Sequence, residues 1–388
     1  MRIYLDNAAT SYPKAPGVGA ALKHFIEQIG DNANRSGYHT PTASDEMVYE
    51  TRELLAEFFN FPTPENVVFT LNITYALNIL LKGSLEPGDH VVVSSMEHNA
   101  VMRPLMQLQR QGVQVSRMVC DQMGRLAAST LWEHIQPNTK MVIVTHASNV
   151  SGTILPIEEL GAICEERNLF FIVDTAQTAG LLEIDYQRIK ADALAFTGHK
   201  GLLAPQGIGG FLISAELAAA TDALISGGTG SLSESEEVPP YLPDKFEAGT
   251  LNLPAICGLK QAIEYVMDVG LASLRNKELR LAELLLEGLG NIKGVHIAGL
   301  PETDGRLAVV SADFEGYDNG EVAYYLQRDY AIQTRCGLHC APSAHKTLGT
   351  FPQGTVRFSP GPFNTEAEIQ HTISAVNKVL QAIGSNRR

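Results

Sequence analysis

Short apolar runs that end in polar residues recur along this chain, with helical patterns between them, and few folds accommodate that alternation. Residues 67–69 lead to Thr70 and Thr74, 90–93 to Ser94, Glu97 and His98, and 141–144 to Thr145, His146 and Asn149. Residues 169–173 lead to Asp174 and Gln177, and 194–196 to Thr197, His199 and Lys200. Runs this continuously apolar suit strands buried on both faces, as in a parallel sheet. Helical patterns over 45–59, 100–111 and 157–167 lie among them. The predicted class is α/β, a mainly parallel sheet with helices on both faces. In such sheets ligands bind beyond the carboxyl ends of the strands, where these polar residues collect.

Two of those strand ends carry chemistry. Asp174 closes one run, and Lys200 follows the next in Ala-Phe-Thr-Gly-His-Lys-Gly. An aspartate ending one strand and a lysine ending the next is what pyridoxal phosphate (PLP) needs. The carboxylate holds the pyridine nitrogen protonated, and the amine forms the Schiff base. Either residue alone reads as readily as a helix cap or a solvated lysine. Together, with the partners below, they outweigh that reading.

The grammar changes after about residue 253. One long helical pattern spans 255–288, followed by strand-like 307–314, helix-like 321–329, and strand-like 332–335 and 355–359. Thr365 to Glu368 form a capping box, with Ile369, Ile373, Val376 and Leu380 on one helical face behind it. These patterns predict a smaller α+β domain, residues 254–388 with an N-terminal arm 1–14, beside a large domain, 15–253. The stretch 226–241, rich in Gly, Ser, Glu and Pro, reads as a surface loop with a functional rim.

A chain of 388 residues is long enough for more than one domain. Its formal net charge of −14, without a basic run, argues against nucleic acid or an anionic membrane surface as the main partner. No apolar stretch is long enough to span a bilayer. Five cysteines, an odd number without framework spacing, make structural disulfides unexpected and a cytoplasmic location the default.

Motifs in order from Tyr4-Leu5-Asp6-Asn7-Ala8-Ala9-Thr10 to Val356-Arg357-Phe358 resemble the class V aminotransferases, and within them the cysteine desulfurases and selenocysteine lyases. The resemblance implies the type I fold of PLP-dependent transferases, with PLP as cofactor. It implies Lys200 as the Schiff-base lysine, Asp174 against the pyridine nitrogen, Gln177 on the phenolate oxygen and His98 stacked on the ring. The phosphate falls to the backbone amides of Ile73 and Thr74, the Thr74 hydroxyl and His199, with Thr197 at the same strand end. Ile73 stands where relatives carry a hydroxyl, so its donor is backbone only. Thr250 is implied to reach the cofactor of a partner subunit, hence a homodimer. Thr74, His199 and Thr250 are equally compatible with ordinary caps and turns. Arg357 is implied to grip the amino-acid carboxylate in a bidentate pair, with Asn149 beside it. Ala8 and Ala9 line the pocket from the arm, and His39 borders its mouth.

The segment Arg335-Cys336-Gly337-Leu338-His339-Cys340-Ala341-Pro342 resembles the compact loop of second-group desulfurases, whose cysteine attacks the substrate sulfur. Cys340 matches that nucleophile, and a cationic neighbour such as Arg357 favours the thiolate. Cys336 is secondary and reads as the more enclosed thiol. The implied reaction converts L-cysteine to L-alanine and leaves a persulfide on Cys340 for an acceptor thiol on a partner protein or a reductant. Other activities stay open: a selenocysteine lyase, a cystine C–S lyase, another class V aminotransferase, or a non-enzymatic sulfur-relay or scaffold subunit. Two unreactive buried thiols are a further alternative. Cys336, His339, Cys340 and His345 match no standard zinc spacing, and no metal is expected.

Overall fold

The computed structural model describes residues 2–33 and 43–386. The first strand, β1 (Ile3–Tyr4), belongs to a two-stranded sheet taken up below. The five apolar runs all become strands of one seven-stranded sheet. These are β2 (Val67–Thr70), β3 (His90–Ser94), β5 (Thr139–Thr145), β6 (Phe170–Asp174) and β7 (Ala193–Thr197), joined by β4 (Gln114–Met118) and β8 (Gly209–Ile213). Their order is β2-β8-β7-β6-β5-β3-β4, with every pairing parallel except those of β8.

Alternation along each strand explains why the runs are apolar throughout. Phe69, Val92, Val142, Val144, Val173 and Phe196 enter one core, while Val68, Val91, Val93, Ile143, Ile172 and Ala195 enter another. Successive side chains point to opposite faces, and both faces are covered. β8 escaped the sequence reading because it begins Gly209-Gly210. A Cβ at Gly210 would lie 2.2 Å from the Val68 carbonyl oxygen, so the position needs glycine to let the strands meet.

A four-stranded antiparallel sheet follows, ordered β12-β13-β10-β9: β9 (Val295–Ala298), β10 (Val310–Phe314), β12 (Arg335–Gly337) and β13 (Thr355–Phe358). The helices Leu271–Gly290, Asn319–Tyr330 and Glu366–Asn386 flank it. Ile3 and Leu5 from the N-terminal arm share its core with Leu285, Phe314, Val356 and Val376. The capping box forms as expected: the Thr365 amide donates to Glu368 Oε2 (2.9 Å), and the Glu368 amide to Thr365 Oγ1 (3.3 Å).

Three expectations need correction. The long helix over 255–288 is two helices, Leu253–Val269 and Leu271–Gly290, because Gly270 (φ 83°) leaves helical geometry between them. The run 332–335 is split between sheets: β11 (Ile332–Gln333) pairs in parallel with β1, whereas β12 pairs with β13. Only 310–314 of the run 307–314 is a strand, since the Leu307 amide donates instead to Gly152 O (2.9 Å), in the turn after β5.

Candidate active site

The carboxyl ends of β2, β3, β5, β6 and β7 open on a cleft of about 610 Å³. It is lined by Ala8, Ala9, Ile73, Thr74, His98, Asn149, Asp174, Gln177, His199, Lys200, Cys340 and Arg357, so most of the expected site residues converge. Thr197 is buried at the end of β7, and its hydroxyl has no partner among the described residues. Thr250 is exposed on a loop and does not line the cleft. His39 lies outside the described residues.

Register places the two central groups. Thr145 of β5 pairs with Asp174, and Asp174 with Ala195 of β7, so Lys200 follows one turn beyond the neighbouring strand end. That turn packs closely on the segment after β6. A Cβ at Gly180 (φ +91°) would stand 2.2 Å from Gly201 O. Burial lowers the Lys200 amine to about 8, with Asp174 opposing the shift and Arg357 adding to it. Burial raises the Asp174 carboxyl, against the Ala176 amide (2.9 Å) and Lys200. His98 caps the helix Asn99–Arg110, its Nδ1 accepting from the Ala100 amide (3.0 Å). Burial first, then Lys200 and Arg357, hold His98 down to about 3. The ring is therefore neutral and carries its proton on Nε2. Behind it, buried Glu97 joins β3 to β5, accepting from Ser94 Oγ (2.5 Å) and the Thr145 amide (3.0 Å).

At one end of the cleft, Asn72 caps the helix Ile73–Ser84 and accepts the amides of Thr74 (3.0 Å) and Tyr75 (3.3 Å). The Thr74 amide expected for a phosphate is thus committed to the cap, which leaves the Thr74 hydroxyl. The Ile73 side chain is buried and apolar, so that residue offers only its backbone. His199 Nδ1 is buried without a partner among the described residues, and burial pushes the ring down to about 4. Gln177 donates to Ala8 O (3.1 Å), so one of its amide hydrogens is taken by the arm.

At the other end, Arg357 is buried and spans two groups: Nη1 donates to Asn149 O (2.9 Å) and Nη2 to Asp6 Oδ1 (2.9 Å). Its Nε and Asn149 Oδ1 have no partner among the described residues. Arg335 also holds Asp6, with Nε 3.1 Å and Nη2 3.0 Å from Oδ2. Arg335 lines the cleft, and the sequence reading left it out of the site. The available signal was its place beside the cysteine loop. The loop is pinned by Asn149 Nδ2 to His339 O (2.7 Å) and by the Asn99 amide to Cys340 O (2.7 Å). His339 (φ 47°) and Cys340 (φ 57°) are both left-handed, a strained conformation that these anchors hold.

Cys336 is exposed like Cys340, contrary to the expectation of an enclosed thiol. The two differ in the face they occupy. Arg335 pairs with Arg357 across β12 and β13, whereas Cys336 pairs with Val356 and points to the opposite face. Local desolvation and Asp318 push the Cys336 thiol up. Cys340 lines the cleft and Cys336 does not.

Thr197 Oγ1, His199 Nδ1, Asn149 Oδ1 and Arg357 Nε, buried atoms unpartnered among the described residues, belong to this cleft or its floor. A lysine and an aspartate lie between polar atoms at its two ends. That set fits an aromatic cofactor with an anionic tail at one end and a small carboxylate at the other.

Known proteins carry the same architecture. The chain is 34% identical to a probable cysteine desulfurase of Methanothermobacter thermautotrophicus, covering 95% of this chain and 92% of that one. It is 30% identical to a cysteine desulfurase of Haloferax volcanii over 97% and 88% of the two chains. The apo cysteine desulfurase of Thermococcus onnurineus NA1 superposes with a TM-score of 0.91 at 30% identity, covering 98% and 95%. The cysteine desulfurase CsdA of Escherichia coli gives 0.86 at 28% identity, covering 98% and 94%. The aminotransferase class-V family profile matches residues 3–372, nearly the full length. With this sheet, this cleft and that span, the chain belongs to the class V aminotransferase family.

Proposed function

We propose that this chain is a PLP-dependent cysteine desulfurase that converts L-cysteine to L-alanine and retains the sulfur on Cys340. The observation that carries the reading is the opening of Lys200, Asp174, Arg357 and Cys340 into one cleft. Lys200 would hold the cofactor covalently, Asp174 would face its ring nitrogen, and Thr74 and His199 would take its phosphate. When bound, PLP supplies an electron sink for carbanion chemistry at the substrate.

The remaining roles belong to the chain. Arg357 and Asn149 orient the substrate carboxylate. Lys200, its amine brought down to about 8 by burial, gives and takes protons near neutral pH. Neutral His98 keeps a donor on Nε2. The Cys340 thiolate attacks the substrate sulfur: a sulfur–sulfur bond forms, the substrate carbon–sulfur bond breaks, and the electron pair stays with carbon, which is then protonated. Alanine leaves, and Cys340 holds the transferred sulfur as a persulfide. Exposure of Cys340 at the cleft supports hand-off to an acceptor thiol.

A homodimer is part of the proposal. Thr250 is exposed outside its own cleft, and Leu71, Tyr75, Leu224, Ile225 and Tyr241 are exposed apolar residues, a set suited to burial against a second copy. The test is an assay of alanine, sulfide and pyruvate from L-cysteine with wild type and Cys340→Ser. We expect alanine formation to be abolished in Cys340→Ser while PLP absorption persists. Normal turnover of cysteine by that variant would replace the desulfurase reading with a lyase or an aminotransferase.

A further inference from the structure

We infer that Asp6 sets which amino acids the cleft accepts, by holding Arg335 through both its oxygens while Arg357, held by one, keeps its Nε open to receive a carboxylate. The inference rests on the proposed reading of Arg357 as the carboxylate-binding residue. Both oxygens of Asp6 are engaged. Oδ1 takes Arg357 Nη2 (2.9 Å) and Arg335 Nε (3.2 Å), and Oδ2 takes Arg335 Nε (3.1 Å) and Nη2 (3.0 Å). The contact to Arg335 is side-on and two-pronged, the geometry that fixes a guanidinium most firmly.

Charge makes the point sharper. Two guanidinium groups and one carboxylate leave the cluster one unit positive, which a single substrate carboxylate neutralises. Arg357 is 2% exposed and its Nε has no partner among the described residues, so it is already enclosed and has a donor to spare. Arg335 is half-exposed and lines the cleft together with Cys340, where the substrate side chain must reach. Without Asp6, Arg335 would be a second free cation beside that side chain, and an amino acid with a side-chain carboxylate could use both arginines. The position of Asp6 is set by main-chain contacts. It bridges to Ser359 beside β13, and the Leu5 amide donates to Gln333 O (2.9 Å). Asp6 is thus a specificity-determining residue that acts through the arginines.

The test measures binding of L-alanine, with one carboxylate, and L-aspartate, with two, to the PLP-loaded protein by calorimetry. In wild type, alanine should bind more tightly than aspartate. In Asp6→Asn, the ratio of aspartate to alanine dissociation constants should fall by about tenfold, the gain expected for one new charge-assisted contact. Adding Arg335→Gln to Asp6→Asn should abolish the gain. A ratio within twofold of wild type, in Asp6→Asn protein that melts normally and retains PLP absorption, overturns the inference. If Asp6→Asn does not fold, Arg335→Gln decides alone: Asp6 then neutralises Arg357, and the alanine dissociation constant should rise about fivefold. Unchanged alanine affinity there overturns the inference equally. Arg357→Gln separates the two layers. If it leaves alanine binding unaltered, the carboxylate reading falls and the inference with it. If it weakens alanine while Asp6→Asn leaves the ratio fixed, only the role of Asp6 is lost.

Discussion

Lys200 and His98 are neighbours whose protonation is set by burial before any ligand enters. With the amine brought down to about 8, the fraction that is free and nucleophilic rises with pH through that value and levels above it. The rate at which cofactor-free protein takes up PLP, followed by its visible absorption, should therefore climb about tenfold per pH unit below 8 and flatten beyond. A flat profile from pH 6 to 9 would show that the Lys200 amine is not the acceptor. Lys200→Ala should stay folded and never develop the absorption. These two residues and Asp174 were legible from sequence because each ends an apolar run. Arg335 was not, since its place beside the cysteine loop is a weak local signal; its pairing with Asp6, 329 positions away, is what ties it to the site.

Elements show the same division between what is local and what is not. The helix over 157–167 and the capping box at Thr365 are written in neighbouring residues and were read correctly. The split of 332–335 between two sheets depends on β1 and β13, which no window around those residues contains. The loop that carries Thr250 has a comparable distant anchor. Glu247 is buried and accepts from Arg52 Nη1 (2.9 Å), Arg52 Nη2 (2.6 Å) and the Phe69 amide (2.6 Å). It ties that loop to β2 and to the helix Ala43–Phe58. Glu247→Ala would leave a buried guanidinium and a buried amide unmatched, and should cost about 3–5 kcal/mol in denaturant unfolding. A loss below about 1 kcal/mol would mean that Arg52 finds another partner. The same change should weaken any dimer that the loop supports, read as a lower mass in light scattering at equal concentration.

For the molecule as a whole, stability against pH follows from buried groups that stay neutral. Burial lowers His98 and His146 to about 3, His199 and His345 to about 4, and His339 to about 2. Between those values and the ordinary 6.5, the unfolded chain binds more protons, so stability falls as pH drops below 6.5. Glu97 and Glu278 act in the other direction. Burial raises both to about 8 from 4.5, the folded state binds more protons in that interval, and stability falls as pH rises toward 8. Near pH 5.5 the histidines outnumber the glutamates. Near pH 7.5 the unfolded histidines have already lost their protons and the glutamates prevail. The melting temperature of the cofactor-free protein should therefore peak at about pH 6.5–7 and fall on both sides. A monotonic rise from pH 5 to 8 would place the two glutamates in the ionised state.

The pairing of β1 with β11 has a consequence for biosynthesis. The strand that leads to Asp6 is made well before its partner strand and both arginines that flank Asp6. At roughly 5–20 residues per second, about 330 residues of translation separate the two, on the order of half a minute. Through that interval β1 lacks its strand partner, while Asp174 at the end of β6 and Lys200 just beyond β7 have already emerged. A ribosome stalled before β11 would hold a chain able to form much of the proposed cofactor cradle but not the proposed carboxylate clamp. On the proposed roles, substrate recognition is therefore acquired only after the site for the cofactor as this protein is made.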